Sequence, residues 1–266
     1  MSTTFYKYQG TGNDFIIADN RNGEYNVLSS EMILQLCDRH FGIGADGLML
    51  LQEKAGYDFE MKYYNADGKL GSMCGNGGRC ITLFANHIGI NKTNFHFLAS
   101  DGPHESTIRP TGIIALKMKD VSGIKKHKDD FLVDTGSPHL IRFVRDLELQ
   151  DMVSKGKDIR YSKEFAAAGI NVNFIELDKN EQTVHIRTYE RGVENETLSC
   201  GTGATAAALV CFHNENGFND VHVKTKGGTL QIEYDRVGNQ QFQNIWLCGP
   251  AQKVFEVQID LQNFRK

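Results

Sequence analysis

A four-residue pattern, Cys-Gly-x-Gly, occurs twice in this chain, as Cys74-Gly75-Asn76-Gly77 and as Cys200-Gly201-Thr202-Gly203. Each copy leads into an apolar run at helical spacing: Cys80, Leu83, Phe84 and Ile88 after the first, Ala206 to Phe212 after the second. Each Cys therefore stands where a helix begins. Upstream, Tyr64-Asn65-Ala66-Asp67-Gly68 precedes Cys74 much as Tyr189-Glu190-Arg191-Gly192 precedes Cys200. A duplicated unit predicts two similar halves in a chain of 266 residues, placed at 1–121 with Cys74 and at 130–256 with Cys200.

Periodicity fills in the halves. Short strands are expected at Phe5 to Tyr8 and Phe15 to Ala18, joined by Gln9-Gly10-Thr11-Gly12-Asn13-Asp14, a glycine turn carrying amides and a carboxylate. Ser29 or Ser30 caps a helix with Ile33, Leu36, Cys37 and Phe41 on one face. Gly42-Ile43-Gly44-Ala45-Asp46-Gly47 matches the dinucleotide glycine pattern, yet it follows a helix and leads into a strand, the reverse of the order that motif needs. Further strands are expected at Asp58 to Tyr64, Phe95 to Ala99, Glu105 to Arg109 and Ile113 to Lys119, and Ser122 to Asp130 as a solvated linker. The second half repeats the rhythm, with strands near Phe131, His139, Asn171, Val184, Val221, Leu230, Asn244 and Lys253. Strands dominate, helices are few, and the spacing is that of hairpins. The fold class is α+β, with mostly antiparallel sheets.

Charge and cysteine usage narrow the partners. A net charge of −4 and a pI near 6.1 leave no basic footprint, so nucleic acid is not expected. Met1 to Lys7 lacks a charged and then apolar leader, and no apolar run approaches a membrane span, so a soluble cytoplasmic protein is expected. Six cysteines (37, 74, 80, 200, 211, 248) without a Cys-x-x-Cys read as free thiols, with no zinc site and no metal. Cys37, Cys80, Cys211 and Cys248 fall on apolar faces or strands and read as core.

Two cysteines at two helix starts suit one chemistry in particular. An α-hydrogen of an amino acid is a very weak acid, and inverting its carbon without a cofactor needs a base on one face and an acid on the other. A thiolate and a thiol fill those roles, and they titrate as a coupled pair. About 3 % of an ordinary thiol is ionised at pH 7. A helix N-terminus supplies about 0.3–2 kcal/mol toward the thiolate, roughly one pH unit. A nearby imidazole adds to it, with His139 of Gly136-Ser137-Pro138-His139 the first candidate. Negative charge on the substrate would meet the N–H groups of Gly75, Asn76, Gly201 and Thr202. Two other classes remain open: a cysteine hydrolase using one Cys with His139, which leaves the second motif unexplained, and a cleft that binds amino acids without catalysis.

Seven segments in order resemble the cofactor-independent diaminopimelate epimerases: Gly10-Thr11-Gly12-Asn13-Asp14-Phe15, Gly42-Ile43-Gly44-Ala45-Asp46, Tyr64-Asn65-Ala66-Asp67-Gly68, Met73-Cys74-Gly75-Asn76-Gly77-Gly78-Arg79, Asn171-Val172-Asn173-Phe174, Tyr189-Glu190-Arg191-Gly192 and Glu196-Thr197-Leu198-Ser199-Cys200-Gly201-Thr202-Gly203. The resemblance implies that Cys74 and Cys200 exchange the roles of acid and base, and that Gly75, Asn76, Gly201 and Thr202 hold the reacting carboxylate. It implies that Asn13, Asn65, Asn171, Glu190 and Arg191 bind the amino and carboxylate groups at the two ends of diaminopimelate. His139 and Glu190 are the candidates for tuning the thiol pKa values. It further implies two pseudo-symmetric domains, each a barrel-like sheet around a central helix, with residues 257–266 returning to the first, domain closure, no cofactor and a homodimer. Ser137 stands where many members carry Asn, and Gly47 where some carry Gln. The related rival is a cysteine-pair racemase acting on a proline-like amino acid.

Overall fold

The first hairpin turns through Thr11 and Gly12, both at positive φ (51° and 83°), a conformation that glycine adopts without a steric penalty. It joins β1 (Ser2–Gly10) to β2 (Asn13–Asp19), paired antiparallel in this computed structural model. The structure describes residues 2–178, 183–212 and 216–264; Met1 and residues 265–266 of the expected terminal segments lie outside the described residues.

From β2 the chain enters α1 (Ser30–Cys37), whose first turn is capped by Ser29 Oγ accepting the Met32 N–H at 3.3 Å. The helix turns Met32, Ile33, Leu36 and Cys37 into a core with Phe5, Ile16 and Leu48. β3 (Gly47–Gln52) then lies parallel to β2, and β4 (Phe59–Asn65) returns antiparallel. α2 (Gly75–His87) carries the chain to β5 (Asn94–Ala99), parallel to β4, and β6 (Gly102–Ile108) and β7 (Ile114–Lys117) follow as an antiparallel meander.

The same order recurs. Two short strands, β8 (Val121–Ser122) and β9 (Lys125–His127), lead to β10 (Asp130–Asp134) and β11 (Pro138–Phe143), an antiparallel pair. α3 (Met152–Arg160) crosses to β12 (Asn171–Asp178), parallel to β11, and β13 (Thr183–Glu190) returns antiparallel with a short partner, β14 (Asn195–Thr197). α4 (Gly201–Cys211) crosses to β15 (Gly217–Thr225), parallel to β13, and β16 (Gly228–Gly238) and β17 (Gln241–Gly249) complete the meander. Last, β18 (Gln252–Asp260) pairs antiparallel along β1. Residues 1–116 with 250–266 form one unit and residues 117–249 the other.

The architecture is α+β, and most pairs are antiparallel. The four parallel pairs named above each span one helix, because a parallel neighbour cannot be reached by a tight turn. The expected linker, Ser122 to Asp130, instead holds short strands: β9 pairs with β10, and β8 pairs with β17. Its lysines misled the reading, since a short edge strand carries exposed lysine as readily as a loop does. The return to the first unit likewise begins at Pro250 rather than at residue 257.

Each sheet curls round its second helix. In α4 Ala204, Ala206, Ala207, Ala208, Leu209 and Val210 are all buried, and the helix touches β10 to β13 and β15 to β17. A helix apolar on every side must lie inside its sheet. α2 does the same in its own unit, burying Cys80, Ile81, Phe84 and Ala85. Phe84 packs edge-on to Tyr8, and burying such a ring contributes about 2–3 kcal/mol. Among the described residues no helix is long and apolar enough to cross a membrane.

Candidate functional site

Cys74 and Cys200 occupy the same place in their units, the residue before the first turn of the central helix. Both have extended backbone (φ −110°, ψ 126° and φ −122°, ψ 111°). Their carbonyls accept the first helical bonds, from the Gly78 N–H at 2.8 Å and the Ala204 N–H at 2.9 Å. The N–H groups of Gly75 and Asn76, and of Gly201 and Thr202, therefore point out of the helix start, where the dipole favours an anion. Glycine has a poor helix propensity, so packing must require it here. A Cβ on Gly78 would lie 2.4 Å from Met73 Cε, and one on Gly203 would lie 2.5 Å from Asn173 Oδ1.

In the first unit Asn13 is the hub. Its Oδ1 accepts from Cys74 Sγ at 3.4 Å and from Asn76 Nδ2 at 3.3 Å, while its Nδ2 donates to Asp46 Oδ2 at 2.5 Å. Asp46 accepts from Arg39 at 2.7 Å, and Arg39 also grips Asp14 through two bonds of 3.0 and 2.7 Å. Lys7 closes the network on Asp14 at 2.6 Å and donates to the Gly44 carbonyl. Burial raises the Asp14 carboxyl, but the bonds from Arg39 and Lys7 outweigh it and hold it at about 2. Asn65 ends β4 at an exposed turn, where its backbone N–H donates to the Lys69 carbonyl and its carbonyl accepts the Gly68 N–H, both at 2.9 Å. Arg79 is wholly buried, reaching Thr11 Oγ1 at 3.3 Å and the Gly75 and Pro250 carbonyls at 3.5 Å.

The second unit gathers more of the expected residues. Cys200 Sγ lies 3.4 Å from Thr202 Oγ1, which is 2.9 Å from His139 Nε2 and 3.3 Å from Ser137 Oγ. Ser137 Oγ is also 2.9 Å from His139 Nε2 and accepts from Asn171 Nδ2 at 3.2 Å. Asn171 Oδ1 in turn accepts the Arg191 backbone N–H at 2.9 Å, and the Arg191 guanidinium caps the Ala168 carbonyl at 3.1 Å. Glu190 accepts from Thr197 Oγ1 at 3.0 Å. Burial, with Arg191 adding to it, pushes His139 down to about 3 against the pull of its Asn173 bond. The ring is therefore neutral near pH 7, and the help expected from this imidazole comes from an uncharged N–H group.

Burial holds the thiols of Cys37, Cys80 and Cys211 up at about 12, which fits their reading as core residues, and Cys248 is also buried. Three residues that bear on the site were not singled out in the sequence as candidates: Asp46, which orients Asn13, and Asn173 and Thr188, which hold His139 from behind. Thr188 Oγ1 donates to Asn173 Oδ1 at 2.9 Å, and Asn173 Nδ2 lies 3.1 Å from His139 Nδ1. Two of them were visible as letters in quoted motifs. Asn173 lies two residues after Asn171 and so on the same face of β12, and Asp46 belongs to the glycine motif between α1 and β3.

The family model described as Diaminopimelate epimerase matches residues 5–122 and 131–254. A relative from Flavobacterium psychrophilum, named diaminopimelate epimerase, is 47 % identical over 255 residues, covering 96 % of this chain and 99 % of that one. Among solved structures, a Bacillus anthracis phenazine biosynthesis protein of the PhzF family superposes with a TM-score of 0.76 at 15 % identity, over 98 % of this chain and 99 % of its own. A hydroxyproline epimerase from Agrobacterium vitis, with trans-4-hydroxy-L-proline bound, gives 0.70 at 13 % identity, over 97 % and 92 %. The last two share the fold alone. Matched over both halves and nearly end to end by its relative, the chain belongs to the diaminopimelate epimerase family.

Proposed function

We propose that this enzyme interconverts LL- and meso-2,6-diaminopimelate by two-base proton transfer, with Cys74 and Cys200 acting on opposite faces of one α-carbon. Each epimerase domain contributes one cysteine. The observation that carries the reading is the repeat: two strand-for-strand similar units each present a cysteine at the start of the central helix, with a polar side chain within hydrogen-bond reach of its sulfur. No cofactor is needed, because a thiolate removes the α-proton while a thiol supplies one to the other face. The carbanion and its carboxylate are met by N–H groups of Gly75, Asn76, Gly201 and Thr202.

A molecule with two ammonium and two carboxylate groups needs partners of both signs. Arg191 suits a carboxylate through its forked donors, Glu190 an ammonium group, and Asn13, Asn65 and Asn171 either. The activity places the enzyme in lysine and peptidoglycan precursor synthesis. The family resemblance supports a homodimer with domain closure over substrate.

The test is α-hydrogen exchange in heavy water with both stereoisomers, on the wild type and on Cys74→Ala and Cys200→Ala. Deuterium at the inverted carbon is expected in the wild type, and net epimerisation lost in both folded variants. Turnover of hydroxyproline in place of diaminopimelate would overturn the substrate, and inversion surviving in either variant would overturn the two-base scheme.

A further inference from the structure

We propose that the resting enzyme holds Cys74 as thiol and Cys200 as thiolate, and that the Thr202 hydroxyl, aimed by Asn173 through His139, is what donates to the Cys200 sulfur. The inference rests on the two-cysteine reading and deepens it by assigning the starting protonation of each half.

Hydrogen-bond direction carries the argument, because in both units it can be traced back to groups whose role is fixed. In the second unit Asn173 Nδ2 faces the Leu140 carbonyl at 3.0 Å and the Asn171 carbonyl at 3.4 Å, both acceptors only, so that atom is the amide donor. It therefore also donates to His139 Nδ1, 3.1 Å away. A neutral ring that accepts at Nδ1 carries its proton on Nε2. Nε2–H then donates to the Thr202 and Ser137 hydroxyls, each 2.9 Å away.

Asn171 is fixed the same way. Its Oδ1 takes the Arg191 backbone N–H, so its Nδ2 donates to Ser137 Oγ and to the Pro138 carbonyl, both at 3.2 Å. Ser137, which accepts from Asn171, passes its own proton to Thr202 Oγ1 at 3.3 Å. Thr202 Oγ1 thus accepts from two donors and has one proton left to give. Cys200 Sγ, 3.4 Å away, receives it. A sulfur that accepts from such a hydroxyl is stabilised as the anion.

The first unit is wired the opposite way. Asp46 is a carboxylate paired with Arg39, so the Asn13 atom facing it is Nδ2, which turns Oδ1 toward the sulfur. A carbonyl oxygen 3.4 Å from Cys74 Sγ repels a thiolate and accepts from S–H. Residue 13 and residue 202 therefore impose opposite polarity on sulfurs that occupy equivalent places in the repeat.

The step balances. Cys200 takes the α-proton: the C–H bond breaks, its electron pair stays on carbon, and an S–H bond forms. Cys74 gives its proton to the other face, its S–H bond breaking as the new C–H bond forms. The product leaves an enzyme whose two sulfurs have exchanged protonation, and proton exchange with water restores the resting state.

Thiolate absorbance, titrated against pH, tests the assignment. The spectrum of Cys74→Ala minus that of the double alanine variant reports Cys200, and Cys200→Ala minus the double variant reports Cys74. Cys200 is expected to ionise at lower pH than Cys74. Thr202→Val, which keeps the shape and removes the hydroxyl, is expected to raise the Cys200 midpoint by about one unit and leave Cys74 in place, with Thr202→Ser restoring it. The charged groups tied to this cluster are Arg191, which acts on His139 and bonds Asn171 through its backbone N–H, Glu190 beside it at the end of β13, and Asp134 at the end of β10, which accepts the Gly136 N–H; all are retained in every variant.

Nitrogen NMR of ring-labelled protein is expected to show His139 with Nε2 protonated and Nδ1 bare. Asn173→Asp, which can only accept, should reverse that tautomer and raise the Cys200 midpoint with Thr202 intact. Equal or inverted midpoints, no response to Thr202→Val, or a proton on Nδ1 in the wild type would overturn the assignment. Wild-type diaminopimelate turnover judges the two-cysteine reading separately: turnover with equal midpoints overturns the assignment alone, and absence of turnover overturns both.

Discussion

A single methyl group added at Gly203 would meet Asn173 Oδ1 at 2.5 Å and His139 Cε1 at 3.4 Å. Alanine is the better helix former by about 1 kcal/mol, but overpacking against a fixed amide costs about 1–3 kcal/mol and wins. Gly203→Ala is therefore expected to destabilise modestly and to lower kcat more than stability alone explains, because it displaces the group that orients His139; unfolding curves and steady-state kinetics check the two parts. His139 also predicts a pH dependence of stability. Its folded value near 3 lies below the ordinary 6.5, so the unfolded chain binds the extra proton between those values. Stability is full above about pH 6.5 and falls with acidification toward 3, by at most about 1.4 kcal/mol per pH unit. His87, pushed down by burial and by Lys253, adds to the same window, whereas Asp14, held at about 2, acts only below its ordinary 3.8. His139→Gln should flatten the slope of urea-unfolding stability between pH 5 and 6.5, on the order of one unit of that dependence; an unchanged slope would contradict a buried neutral ring. At this scale the sequence pointed to Cys74 and Cys200 through the repeated motif, to His139 through its turn and to Asn13 through the family resemblance. Asp46, Asn173 and Thr188 act one bond further back, where only the register of β12 on β13 brings Thr188 opposite Asn173.

The two upstream motifs look alike as letters and differ as elements. Gly68 and Gly192 both take positive φ (80° and 93°), so alanine at either is strained. A Cβ on Gly68, however, would stand 2.1 Å from the Ser30 carbonyl at the start of α1, while Gly192 has open space around it. Gly192→Ala is expected to cost about 1 kcal/mol, and Gly68→Ala more than 2, because α1 must shift. Thermal melts of the two variants decide it; equal losses would mean that the turn yields rather than the helix. The same comparison explains what periodicity could and could not deliver. Strands and helices fell where alternation, caps and glycines put them, with ends off by a few residues. Ser122 to Asp130 was misread because two- and three-residue strands leave no alternation to detect, and β14 was missed for the same reason. The four parallel pairs are long-range, and local pattern does not encode which strand a crossover reaches.

One pairing scheme, used twice, organises the whole chain: an edge strand, a hairpin, a helix, a second hairpin, the central helix and a meander. The halves differ in where the edge strand comes from. β9 lies beside β10 and precedes it by a few residues, whereas β18 reaches β1 from the far end of the chain. Closing that loop costs chain entropy that grows only slowly with length, so the distant strand is affordable, yet the first unit is incomplete until the last residues are made. β18 pairs with β1 from Ser2 opposite Asp260 to Gln9 opposite Gln252, and the segment also supplies Leu261 to the first core and the Pro250 carbonyl to Arg79. A chain ending at Gly249 is therefore expected to lose amide protection across residues 2–116 while residues 117–249 keep theirs, read by hydrogen exchange with mass spectrometry. Uniform loss would show that the second unit does not hold its own fold, and unchanged protection of β1 would show that β18 is dispensable. Diaminopimelate turnover should be abolished in the same truncated chain, because α2 and the Asn13 turn are positioned by β1, and activity that survived would count against the part proposed for Cys74.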